Sequence, residues 1–180
     1  MPAMAIESAR PYRPHSASAA TTVEAMITAA IDDTSYRILL LLHILTAFAA
    51  FAPAFVHPFL GEQSKALDGT GRATVFGFMV RNGRRIYAPA LIVTGLLGFG
   101  LPALSKDGDN AVFELSQGWM IAAIVVWLIM NGVLHAVIIP GERAVSEGDT
   151  EAESRISAGM GAISLLLVVM LYLMIWKPGL

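Results

Sequence analysis

The sequence contains no cysteine. That removes disulfides, thiolate metal sites, iron–sulfur clusters and thiol nucleophiles on either side of a membrane. Any metal or haem would have to be held by His, Met, Tyr or carboxylate. Charge is scarce as well. Only 14% of the 180 residues are Asp, Glu, Lys or Arg, against about a quarter in ordinary soluble domains. The net charge of −2 leaves no basic excess for nucleic acid. No serine triad or carboxylate pair is evident, and Gly69-Thr70-Gly71 lacks the strand and lysine of a phosphate loop. No catalytic residue is indicated, and an enzyme is the less favoured reading.

What the sequence has in abundance is apolar residues, 56% of the chain. The charged residues gather in the N-terminal part up to Arg37, in three connections and at the C-terminal end. Between them lie four apolar stretches, at about 36–59, 86–104, 118–139 and 156–176. A helix needs roughly 20 apolar residues to cross about 30 Å of hydrocarbon. The pattern therefore predicts an all-α, four-helix transmembrane bundle over 35–178, an integral membrane protein. Pro53 should kink the first helix. The second, with Pro89, Pro102 and several glycines, should be the shortest and most bent. Pro140-Gly141 should close the third. Trp119 lies at the entrance of the third span, and Tyr172 and Trp176 stand near the end of the fourth, where an aromatic belt would place them. Residues 1–34 are rich in Ala, Ser, Thr and Pro and read as a disordered or interfacial tail. Within it, Thr22–Ile31 suits a short interfacial helix, and Met26 is an alternative start. The tail lacks the apolar core of a signal peptide.

The connections differ in charge. Lys65, Arg72, Arg81, Arg84, Arg85, Arg143 and Arg155 fall in 60–85 and 140–155. Arg37, Lys106 and Lys177 flank the spans on the other side, with Arg10 and Arg13 further out in the tail. Basic residues mark cytoplasmic connections. The expected location is a bacterial inner membrane with both termini outside the cytoplasm. The basic run Arg81-Asn82-Gly83-Arg84-Arg85 also suits contact with anionic lipid. Glu142 to Glu153 reads as a solvated acidic connection.

Helices in lipid approach through small residues. Ala50 and Ala54 on the first span, Ala90, Thr94 and Gly98 on the second, and Ser157 and Gly161 with Ser164 on the fourth form such lines. Helix contact is the main reading, and a ligand groove along the same faces the lesser one. The expected partners are the lipid bilayer and other membrane subunits or further copies of the chain.

Polar residues within spans are few and therefore informative. They are His43, His57, His135, Asn131 and Thr94. His43 and His57 are about 21 Å apart along a helix axis and do not share one site. His57 and His135 lie at similar depth on helices that run in the same direction. Two readings follow. In one, the polar residues are satisfied interior groups: His135 bonds Asn131 or a neighbouring carbonyl, and His57 lies at the interface before Pro58. In the other, His57 and His135 bind haem b or copper, since imidazole suits both. The nine methionines form no Met-x-x-Met ladder and read as packing.

The segments LLLLHILTAFAAFAPAFV, APALIVTGLLGFGL after paired arginines, LSQGWMIAAIVVWLIMNGVL and IIPGERAV together resemble the DUF2269 group of predicted bacterial integral membrane proteins. That group looks distantly akin to the CopD-like four-helix membrane proteins. The resemblance implies a compact four-helix bundle without an established activity. The CopD-like connection implies copper or haem handling, from which this chain departs by lacking a dense set of His and Met. The expected function is thus that of a structural or accessory membrane component. The alternative is a haem- or metal-binding redox or transport protein.

Overall fold

In the computed structural model, which describes residues 34–107 and 110–179, the protein is a bundle of four long apolar helical rods. The first is helix α1, Thr34–Ser64. The second joins α2 (Gly69–Asn82), a π-helical turn (Gly83–Tyr87) and α3 (Ala88–Leu104) without a break. The third joins α4 (Gly118–Val133), a second π-helical turn (Leu134–Ile138) and α5 (Ile139–Ser146). The fourth is α6, Ala152–Trp176. A small antiparallel hairpin, β1 (Lys106–Asp107) and β2 (Asn110–Ala111), lies between the second and third rods. The tail, with the helix expected at Thr22–Ile31, lies outside the described residues.

The rods contain 31, 36, 29 and 25 residues and are each long and apolar enough to cross a membrane. Their outer surface supports that reading. Phe48, Phe55, Phe59, Leu165 and Val168 are all more than 60% exposed, a surface that water would penalise and lipid does not. Tyr172 and Trp176 stack at 5.3 Å near the end of α6, both largely exposed, as interfacial aromatics are. Trp119 is instead buried: its indole donates to Gln117 and meets the edge of Phe113.

Two boundaries differ from the sequence expectation, and proline explains both. The second rod begins at Gly69, well before the span expected from about Ile86, and the third continues beyond Pro140-Gly141 to Ser146. Proline normally ends a helix because it lacks an N–H and its ring clashes with the carbonyl four residues back. Here each proline follows a π turn. Ala88, just before Pro89, donates its N–H to Gly83, and Ile139, just before Pro140, donates to Leu134. These five-residue steps widen the helix where the ring must fit. At 1.5 Å per residue the second rod is about 54 Å long, against about 30 Å of hydrocarbon. Its polar end, α2, therefore reaches well past the apolar layer. Asp68 caps α2 by accepting a 2.6 Å hydrogen bond from the Gly71 amide.

Small residues set the close contacts, as lipid-embedded helices require. Ala50 and Ala54 are buried. Gly98 lies against the His43 ring, and a Cβ on Gly100 would stand 2.9 Å from Leu39. Gly95 lies under the Trp127 indole, whose Nε1–H donates to the Leu91 carbonyl at 2.8 Å. Gly159 meets Ile138 and Val137, and Gly141 meets Ile156. These last contacts hold the third rod against the fourth.

Candidate functional site: a buried histidine–glutamate pair beneath a groove

Helix α5 carries Ile138, Ile139, Glu142 and Val145 on one buried face, with Ile138 at the end of the preceding π turn. Glu142 occupies an apolar register and is only 1% exposed. It was expected in a solvated acidic connection. That expectation fails because the helix does not stop at Pro140 but turns Glu142 inward. Across from it, His57 on α1 is 5% exposed. Nδ1 of His57 and Oε1 of Glu142 are joined by a 2.7 Å hydrogen bond. Tyr87, in the first π turn, meets the imidazole edge-on at 5.5 Å. Three of the four rods thus converge on one polar group.

The pair is only partly satisfied. Oε2 of Glu142 is buried and has no hydrogen-bond partner among the described residues. A buried oxygen of this kind costs about 1–3 kcal/mol and more when charged, so it calls for an explanation. With Glu142 ionised, Nδ1–H of His57 donates to it, and Nε2 is left free of any protein partner. A cavity of about 400 Å³ adjoins both side chains. Its apolar walls include Phe76, Met79, Ile156 and Met160, and Glu62, Lys65 and Glu153 stand at its polar end. Glu62 pairs with Lys65 at 2.6 Å, and Glu153 pairs with Arg72 of α2.

The fourth side of the cavity is the line Ser157, Gly161 and Ser164. A Cβ on Gly161 would touch nothing within 4 Å. This small-residue face lines open space, whereas Ala90, Thr94 and Gly98 on α3 behave as a contact face. The lesser reading from sequence, a groove, describes α6.

The other polar span residues lie elsewhere. His43 donates from Nδ1 to the Thr94 carbonyl at 2.9 Å, and the buried Thr94 hydroxyl bonds Ala90. The Asn131 amide donates to the Trp127 carbonyl. His135 is exposed, and its Nδ1 meets the Asn131 carbonyl at 2.9 Å. It lines a separate hollow with Arg84, Ala88, Ile139 and Pro140. The structure brings His57 to Glu142 and Tyr87, and places His135 in the other hollow. Among the described residues no group of three or more His, Cys, Asp or Glu is arranged to hold a metal ion.

No family model, curated protein or solved structure matches the chain, and the resemblance to the DUF2269 group gains no support from them. Hydropathy and helix length define a multi-pass membrane protein with four spans.

Proposed function

We propose that this protein is a small accessory component of a bacterial inner membrane that binds amphipathic cations in the groove between α1 and α6. The single observation that carries this reading is the unpartnered Oε2 of Glu142 beside the cavity. A buried acceptor without a donor is satisfied by a ligand that brings one. Of the three carboxylates in the lining, Glu62 and Glu153 are paired with Lys65 and Arg72, and Glu142 meets only the His57 imidazole, which favours a cationic head group beside Glu142. Phe76, Met79, Ile156 and Met160 suit an apolar body, and methionine adapts to varied shapes.

The charge difference between connections supports an orientation with the Glu62–Lys65 end of the groove in the cytoplasm and both termini outside it. The ligand then enters from the cytoplasmic side. The test uses radiolabelled propranolol, an amphipathic aromatic ammonium whose N–H groups can donate to Oε2, and purified protein in neutral detergent, with equilibrium dialysis as readout. Saturable binding of one cation per chain, lost in Glu142→Gln and kept in the surface variant Glu147→Gln, is expected. Equal uptake by wild type and Glu142→Gln, or equal uptake of tetraphenylborate, would sink the reading.

One observation favours a second reading, a metal or haem on His57. A carboxylate holding one imidazole nitrogen while the other stays free is how many metal-binding histidines are oriented. The absence of a three-residue ligand cluster among the described residues and the separate surroundings of His135 weigh against it. A visible spectrum before and after dithionite, with elemental analysis, separates the two. A reducible Soret band abolished by His57→Ala would replace the first reading with the second.

A further inference from the structure

A hollow of about 240 Å³ is lined by residues of both π turns and of the helices that follow them: Arg84, Ala88, His135, Ile139 and Pro140. We propose that this hollow binds the phosphate of an anionic phospholipid in the leaflet on that side.

Depth is the first support. Arg84 precedes the end of α3 at Leu104 by 20 residues, and His135 follows the start of α4 at Gly118 by 17. At 1.5 Å per residue these are about 30 Å and about 26 Å. Both equal, within a turn, the thickness of the hydrocarbon layer measured from its opposite face. The hollow therefore lies where apolar core gives way to lipid phosphates.

Charge is the second. No ion pair engages Arg84 among the described residues, whereas Lys65, Arg72, Arg143 and Arg155 all have acidic partners. A guanidinium presents a fork that matches phosphate oxygens. His135 gives Nδ1–H to the Asn131 carbonyl, which leaves Nε2 to donate, once protonated, to a phosphate oxygen. No carboxylate lines the hollow.

The third support concerns the lipid tails. Ile92 and Val93 on α3, and Val125, Leu128 and Ile129 on α4, are exposed apolar residues on the membrane side of the hollow. They offer acyl chains exposed apolar side chains on the two rods that line the hollow. A free phosphate ion would gain nothing from them.

The test reconstitutes the full chain in phosphatidylcholine vesicles and adds spin-labelled phosphatidylglycerol or spin-labelled phosphatidylcholine. The fraction of motionally restricted label is read by electron paramagnetic resonance. The wild type should restrict phosphatidylglycerol several-fold more than phosphatidylcholine. The preference should vanish in the Arg84→Gln, His135→Gln double variant and persist in Arg143→Gln, which removes an exposed, paired arginine. Both altered residues are exposed, and an unchanged circular dichroism spectrum would show the double variant folded. Arg84→Lys should keep part of the preference, because it keeps charge without the fork. An undiminished preference in the folded double variant would overturn the proposal. So would loss of the wild-type preference on adding millimolar inorganic phosphate, because the site would then take phosphate and not lipid.

Discussion

His57 and Glu142 stand 85 positions apart in the chain, yet Nδ1 of one lies 2.7 Å from Oε1 of the other, with both side chains buried. The hydrogen bond ties α1 to the far end of the third rod. It exists only because a π turn carries the helix past Pro140. Removing either partner strands a buried polar group, which typically costs about 1–3 kcal/mol and more when that group is charged.

The glycines of the spans should divide sharply by environment. A Cβ at Gly95 would stand 2.5 Å from Nε1 of Trp127, whereas one at Gly161 would meet nothing within 4 Å. Overpacking of this kind costs about 1–3 kcal/mol. Gly95→Ala should therefore lower the midpoint of reversible unfolding in sodium dodecyl sulfate, and Gly161→Ala should leave it unchanged or slightly raised. Equal effects would contradict the contact between α3 and the Trp127 ring.

Asp68 should act locally. Its carboxylate accepts from the Gly71 amide at the start of α2. Loss of such a cap costs about 1 kcal/mol. Asp68→Ala should speed amide hydrogen exchange in the first turn of α2 by roughly five-fold, the factor that about 1 kcal/mol represents, with little change in α4. Uniform acceleration through the bundle would mean that α2 does not begin there.

Because the chain has no cysteine, single introduced thiols report topology without background. Ser116 and Thr150 are both exposed and lie in connections at opposite ends of the third rod. A membrane-impermeant maleimide added to intact cells should label Ser116→Cys and spare Thr150→Cys until the cells are permeabilised. The reverse pattern would invert the proposed orientation. Labelling of both in intact cells would contradict the single crossing between them.

Much of this architecture was legible in the sequence because the constraint is simple. Stretches such as 118–139 and 156–176 must be helices if they are to satisfy their backbone in lipid. The contact face on α3 was readable for the same reason, since Gly98 and Thr94 show by size what can approach them. The polar site was harder to see. His57 stood out as a histidine at a span end, but its partner Glu142 directly follows a Pro-Gly pair that usually ends a helix. The signal that identifies it is the spacing of Ile138, Ile139, Glu142 and Val145, an apolar stripe with one acid in it. That stripe becomes visible only if the helix is allowed to continue. The separation of His135 from His57 depends on rotation about the third rod, and a π turn shifts that rotation without leaving a mark in composition. Likewise Ser157, Gly161 and Ser164 have the composition of a contact face, and only the placement of α1 leaves them lining a groove.

The pairing of His57 with Glu142 is tested most directly by a double-mutant cycle. His57→Leu, Glu142→Leu and the combined variant are each unfolded reversibly in sodium dodecyl sulfate, followed by tryptophan fluorescence. Each single variant should lose at least about 1–3 kcal/mol, the cost of a stranded buried polar group. The double variant should lose less than their sum by at least about 1 kcal/mol, as residues in direct contact do. Strictly additive losses would place the two side chains apart and remove the polar floor on which the groove's proposed chemistry rests.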